Sequence, residues 1–269
     1  MDTGSLESRM RQYEDAQKTR LTRRLPVMIR VDGNAFHTLT RGFDRPFDEV
    51  LNKTMRDTMQ YLCENIHGCV LGYTQSDEIT LLLKDYNNKN QGAWFDYVKR
   101  KIESISASMA TMAFNRFFVE NVTNKRYFSD LPEAERRACD KYFKASGKAM
   151  FDSRAFNIPE FEVSNNFIFR QKDCIRNSIQ SVGQANFSQR ELHNKKCDDI
   201  KKMLLEKRDI DWDKLPTHYQ RGSCCVKVEK VFNEGKPDEF RRNKWVVDTE
   251  IPLFTENRDY INSRFMNLH

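Results

Sequence analysis

Residues 69–83 read CVLGYTQSDEITLLL. Two apolar runs, 69–73 and 79–83, flank the polar tip Thr74-Gln75-Ser76-Asp77-Glu78, a pattern that predicts a β-hairpin. Upstream, over 47–66, Val50, Leu51, Met55, Met59, Leu62 and Ile66 recur at three- and four-residue steps, the signature of an amphipathic helix. Gly68 stops it. Before that helix, Val27-Met28-Ile29-Arg30-Val31 follows Pro26 and reads as a strand ending at Asp32-Gly33. After the hairpin, a second long helix fits 94–118 and a last strand fits 149–159. Strand, helix, hairpin, helix, strand is the ferredoxin-like βαββαβ order, so the fold expected is α+β, with the first and third strands side by side.

The remaining segments are read around that unit. Residues 7–24 are highly charged and predict a helix or an arm. The stretch 119–147 is polar, mixed in charge and interrupted by Pro132; it reads as an insertion carrying a short helix. Helical patterns occupy 161–182 and 188–207, the second opening with the capping-box sequence Ser188-x-x-Glu191. Residues 223–232 and 243–251 predict a final hairpin. The sequence has no internal repeat and no low-complexity tract, which predicts a catalytic region over 1–160 and a helical and hairpin region over 161–269 packed with it as one unit.

Composition narrows the class without deciding it. No stretch approaches the ~20 consecutive apolar residues of a membrane span. The charged N-terminus lacks the apolar core of a signal peptide, and the seven cysteines form no C-x-x-C pair. Together these predict reduced thiols in a cytoplasmic protein, the mitochondrial matrix being the other compartment compatible with them. The net charge of +6 arises from 45 Lys and Arg against 39 Asp and Glu. Such an excess permits a polyanionic partner without requiring one.

Three acids carry the chemistry. Asp-Gly at the end of a strand is by itself ordinary turn chemistry, and an acidic hairpin tip such as Asp77-Glu78 is equally common. In a βαββαβ fold, however, the end of the first strand lies beside the tip of the hairpin, so Asp32, Asp77 and Glu78 are predicted to converge. Divalent cations would relieve their repulsion; Mg²⁺ is typically held by a few carboxylates and substrate phosphates. Two such ions about 4 Å apart clamp the attacking and leaving oxygens in phosphoryl transfer.

The run Arg30-Val31-Asp32-Gly33-Asn34-Ala35-Phe36-His37, then Phe43-Asp44-Arg45-Pro46, then Tyr73-Thr74-Gln75-Ser76-Asp77-Glu78 resembles the histidine-tRNA guanylyltransferase superfamily, which includes the guanylyltransferase-like proteins. Weaker similarity continues through Phe151-Asp152-Ser153-Arg154, Ser164-Asn165, Phe169-Arg170-Gln171-Lys172-Asp173, and Leu215-Pro216 with Tyr219-Gln220-Arg221-Gly222, covering about residues 25–230. The resemblance implies a polymerase palm and addition of nucleotides to tRNA 5′ ends in the 3′-to-5′ direction, after activation by a nucleoside triphosphate (ATP or GTP). It implies two Mg²⁺ ions bridged by Asp32 and Asp77, with Glu78 and the Gly33 carbonyl completing the shell, and a homotetramer.

By the same resemblance, Arg30, Arg45, Ser76, Lys101 and Asn165 contact the triphosphate, together with the loop residues Asn34, Ala35, Phe36 and His37. The RNA-binding set is Arg176, Asn177, Lys195, Lys196 and Arg221. Blander readings stand beside these. Arg45 and the Lys99-Arg100-Lys101 run also suit a solvated surface, His37 suits packing behind the strand, and Trp94 and the phenylalanines at helical spacing suit the core.

One departure from the pattern bears on substrate choice. Guanylyltransferases that read the histidine anticodon carry H-I-N-N after the R-Q-x-D-C stretch, whereas this chain reads Asp173-Cys174-Ile175-Arg176-Asn177-Ser178. That favours template-directed repair of truncated tRNA 5′ ends over addition of a non-templated G to histidine tRNA. Two readings of other kinds are weaker. A non-catalytic RNA-binding module gains nothing from concentrating acids near RNA, and a nucleotide cyclase has no use for the basic residues across 190–244.

Overall fold

A computed structural model describes residues 5–126, 133–232 and 240–266, with the side chains of 124–138 and 232 left aside. In chain order the helices are α1 (Leu6–Asp15), α2 (Phe36–Leu39), α3 (Glu49–Asn65), α4 (Lys99–Arg126), α5 (Glu133–Ala145), α6 (Glu160–Asn186), α7 (Gln189–Leu192), α8 (Cys197–Arg208), α9 (Thr217–Arg221) and α10 (Asp259–Phe265). The strands are β1 (Val27–Gly33), β2 (Cys69–Gln75), β3 (Glu78–Leu83), β4 (Phe151–Asn157), β5 (Ser223–Phe232) and β6 (Phe240–Asp248). They form one antiparallel sheet in the order β4-β1-β3-β2-β5-β6. The first four give the ferredoxin-like order expected from the sequence, and the C-terminal hairpin extends the β2 edge.

Alternation along β1 explains the layering. Ile29 and Val31 point to one face, where they pack with Met55, Met59 and Leu62 of α3 and Phe114 and Phe118 of α4. Met28 points to the other, under Val163 and Phe167 of α6 and Ile261 and Phe265 of α10. Both faces are covered over the first part of β1, so it reads apolar throughout there. Its last residues on the α6 side, Arg30 and Asp32, are polar and part-exposed. No helix among the described residues is long and apolar enough to cross a membrane.

Several boundaries differ from the sequence reading. The helix expected over 94–118 begins instead at Lys99, because Phe95, Asp96 and Tyr97 take left-handed backbone. That bend lets the Leu21 N–H donate to the Tyr97 carbonyl at 2.9 Å and seats the N-terminal arm. The same helix then runs to Arg126, into the stretch read as an insertion. Only Leu6–Asp15 of the charged 7–24 segment is helical. The helix expected over 188–207 is two. The Ser188–Glu191 capping box opens α7, left-handed Asn194 ends it, and Lys196 N–H donating to Asp199 starts α8. The last hairpin begins its return strand three residues early, at Phe240, and α10 was not foreseen.

Candidate active site

The end of β1 and the tip of the β2–β3 hairpin are stitched together by the backbone. The Gly33 N–H donates to the Asp77 carbonyl at 3.0 Å. In register, Asp32 lies opposite Glu78 on one side and Asp152 of β4 on the other. Directly opposed residues share a sheet face, so these three acids form a row on the α6 side. The turn itself is two residues, with Ser76 left-handed. Gly33 is required by contact: a Cβ there would lie 2.4 Å from the Phe36 ring. Phe36 is itself locked among Phe114 and Phe151.

The predicted convergence of three unpaired acids is corrected by two arginines. Arg170 of α6 donates to Glu78 twice, Nε to Oε1 and Nη2 to Oε2, each at 2.7 Å. Arg30 Nη2 donates to Asp32 at 3.0 Å, while its Nε sits 2.9 Å from Glu78 Oε2 without a well-directed hydrogen bond. Alternation places Arg30 on the same face as Asp32, so it pairs with the acids and does not stand free for the triphosphate contact expected from the sequence. Asp173 extends the chain of charges, accepting from Arg170 at 3.1 Å and from Arg176. Glu78 is therefore a buried, neutralised group, not a free ligand.

Burial pushes the Asp77 carboxyl above its ordinary range; hydrogen bonds from its own backbone and Ser76 oppose that, and the charge of Asp32 adds to it. Glu78 is likewise raised by burial, against the pull of Arg170 and Arg30. Among the described residues no group of three or more His, Cys, Asp or Glu side chains is arranged to hold a metal. Asp32 and Asp77 nevertheless lie near enough for the charge of one to act on the other, and Gly33, bonded through its N–H to Asp77, carries a further hard oxygen beside them. Mg²⁺ commonly takes one or two carboxylates and fills its shell with water and substrate phosphates, so this donor set fits it, with Asp32 and Asp77 as the carboxylates.

The other predicted residues fall into groups. Ser76 and Asn177 line a cleft with Gln75, Phe47, His218 and Tyr219, floored by the Phe47–Tyr219 ring stack at 4.5 Å. Exposed Arg45 lines an adjoining depression that shares Pro46, Asp48 and Ser181 with it. Asn34 and Ala35 are exposed at the end of β1, the Asn34 N–H donating to Met150 at 2.8 Å. Asn165 lies on α6 upstream of Arg170 and donates to Glu162.

Four residues are not presented as expected. Phe36 is buried in the core, leaving only its backbone for a nucleotide. His37 is exposed instead of packed behind the strand, because α2 turns Phe36 inward in its place. Lys101 sits in the first turn of α4, whose Glu103 reaches Ala155 beside Ile29, so it lies toward the start of β1 and away from Asp32. Arg221 braces the fold, its Nε donating to Ile251 and its Nη1 to Gln220. Lys195 and Lys196 are exposed in the break between α7 and α8.

Arg170 and Asp152 lie within sequence motifs that assign them no role. The signal that could have found them is the Arg170-x-x-Asp173 helical spacing for an ion pair, and the alternation of Asp152 with Arg154 on an edge strand.

Comparison with known proteins adds the following. Residues 7–159 match the family model described as Thg1: tRNAHis guanylyltransferase. A bacterial tRNA(His) guanylyltransferase (Thg1)-like protein in complex with ATP superposes with a TM-score of 0.79 at 35% identity, covering 97% of this chain and 100% of that one. The corresponding complex with GTP gives 0.77 at the same identity and coverage. The tRNA(His) guanylyltransferase of Schizosaccharomyces pombe is 25% identical over 95% of this chain and 94% of its own.

Proposed function

The chain belongs to the tRNA(His) guanylyltransferase (Thg1) family of nucleotidyltransferases, and from that premise we propose that it repairs tRNA 5′ ends by template-directed 3′-to-5′ nucleotide addition. A nucleoside triphosphate first activates the tRNA 5′-phosphate, and the 3′-hydroxyl of an incoming nucleotide then attacks it. The observation that carries the choice of repair is the state of residues 175–178. Where an anticodon-reading element would stand, Arg176 is paired with Asp173, the acid that also supports the Arg170–Glu78 clamp. Asn177 lines the cleft beside Ser76. These residues serve the catalytic sheet, which leaves pairing with the opposite strand as the selector.

Asp32 and Asp77, with the Gly33 carbonyl, would hold Mg²⁺, which supplies charge neutralisation at the reacting phosphates. Glu78 contributes from behind: clamped by Arg170 and Arg30, it fixes the start of β3 and so the position of Asp77. Arg45, with a planar guanidinium suited to phosphate oxygens, and the Ser76 hydroxyl would bind the nucleotide. Phosphoryl transfer of this kind needs positioning and charge stabilisation more than a side-chain nucleophile.

The test uses labelled tRNAs lacking their first nucleotide. One pair differs only in anticodon, another only in the base opposite the gap. Extension should follow the template base and ignore the anticodon. A rate that changes by orders of magnitude with the histidine anticodon, and not with the template base, would replace repair with non-templated G addition.

A further inference from the structure

Helix α5, within the stretch read as an insertion, packs against the loop that carries Arg45. Phe43 enters that loop stacked on Phe118 at 5.8 Å and edge-on to the Tyr142 ring at 4.9 Å. Asp48 leaves it as the N-cap of α3, its Oδ1 accepting from the Leu51 N–H at 3.0 Å. The other oxygen of Asp48, Oδ2, accepts from the Asp44 N–H at 3.0 Å. One carboxylate thus closes a ring of chain around Arg45, Pro46 and Phe47.

α5 meets this ring at both ends. Tyr142, 2% exposed, donates its hydroxyl to Asp48 Oδ2 at 2.7 Å and lies 3.4 Å from Asp44 Oδ2. Lys141 pairs with Asp44. Capping α3 needs one oxygen of Asp48; the Tyr142 hydroxyl goes to the other, the one that holds the loop. Asp48 is itself buried, and a hydrogen bond to a carboxylate shielded from water is strong as well as directional. Within the ring, Phe47 has an anchor of its own in the Tyr219 ring. Arg45 pairs with no acid among the described residues, so its placement follows from the backbone that Asp44 and Asp48 fix.

We propose that Tyr142 is a positioning residue for the nucleotide: through Asp48 and Asp44 it fixes the backbone from which Arg45 reaches the triphosphate. The inference rests on the nucleotide role proposed for Arg45 above. An exposed arginine already gives up side-chain freedom when it grips phosphate. A loop that also had to be ordered would add its backbone entropy to that cost. The loss would fall on nucleotide affinity and leave the chemical step as it is.

The experiment is a double-mutant cycle on the full chain, with Tyr142→Phe, Arg45→Ala and the two combined. Extension is followed on a tRNA lacking its first nucleotide, varying the triphosphate that pairs with the template base. Phenylalanine keeps the ring against Phe43 and removes only the hydroxyl. Tyr142→Phe should raise KM for the triphosphate about fivefold, within what loss of one hydrogen bond to a charged group allows. KM for tRNA and kcat at saturation should stay at wild type. In the Arg45→Ala background the same change should raise KM by less than about twofold, because the group it serves is gone. A wild-type KM in Tyr142→Phe would overturn the inference. So would an equal rise in both backgrounds, which would mark a general loosening of the fold, or a fall in kcat with KM unchanged. A wild-type KM in Arg45→Ala would instead remove the nucleotide role of Arg45, and this inference with it.

Discussion

Arg170 holds Glu78 through two hydrogen bonds, each 2.7 Å long, with the Glu78 side chain 4% exposed and that of Arg170 9%. A bidentate pair of this kind is strong and directional. It ties α6 to the first residue of β3, next to Asp77. The acid that reads as a metal ligand in the sequence thus couples the helical layer to the turn that carries Asp77.

Glu78→Ala should therefore lose stability as well as activity. It leaves Arg170 with Asp173 alone and Arg30 with Asp32 alone, so the loss should approach, without reaching, the about 3–5 kcal/mol of a fully broken buried pair. Urea denaturation without nucleotide or metal reads the difference. Wild-type stability with activity abolished would mean that Glu78 acts only at the reacting centre.

Asp77→Asn separates the two effects. Activity should be lost, yet without Mg²⁺ the variant should melt at or above wild type at neutral pH, since burial and Asp32 disfavour the Asp77 charge. The folded value is raised above the ordinary 3.8. The penalty is therefore absent below that value and grows as pH rises through the folded one. Added Mg²⁺ should raise the melting temperature of the wild type more than that of the variant. Full turnover by the variant would remove Asp77 from the mechanism.

Arg45→Ala should raise KM for the nucleotide by about tenfold or more, as loss of a charge-assisted hydrogen bond of ~1.5–3 kcal/mol predicts, with tRNA binding little changed. Arg45 is exposed beside the Ser76 cleft and pairs with no acid among the described residues. An unchanged nucleotide KM would return it to the solvated surface.

His218 should make the fold acid-sensitive. Its Nε2 is buried without a hydrogen-bond partner, and burial, then the nearby Arg56, pull its pKa below the ordinary 6.5. A depressed value contributes stability above 6.5 that is lost as pH falls through the folded value. Between pH 7 and pH 5, wild-type protein should lose more thermal stability than His218→Phe. Parallel curves for the two proteins would exclude His218 as the cause.

Much of the fold was legible because it depends on local periodicity. The short apolar run of β1, the three-and-four spacing of Val50 to Ile66 and the apolar-polar-apolar hairpin at 69–83 each report burial directly, and their order implies the sheet. Boundaries were less legible. Left-handed Phe95 delays a helix at a residue type that carries no turn signature, and that break is held by a distant partner, Leu21, whereas Asn194 is of a type that favours left-handed backbone.

The sequence by itself determined that Asp32, Gly33 and Asp77 would meet, because strand ends and hairpin tips have only one place to go in a βαββαβ sheet. It also determined the family, through ordered motifs along most of the chain. Only the tertiary structure decided what each charge does once there. Arg170 is 92 residues from Glu78 in the chain, and nothing local to either residue predicts that a helix crossing the sheet will lay one against the other. The same holds for Phe36 and Arg221, which read as ligand contacts until packing placed one in the core and the other on a backbone carbonyl. A charged side chain takes whichever partner the fold brings within reach as it leaves water, and that partner is set by long-range packing.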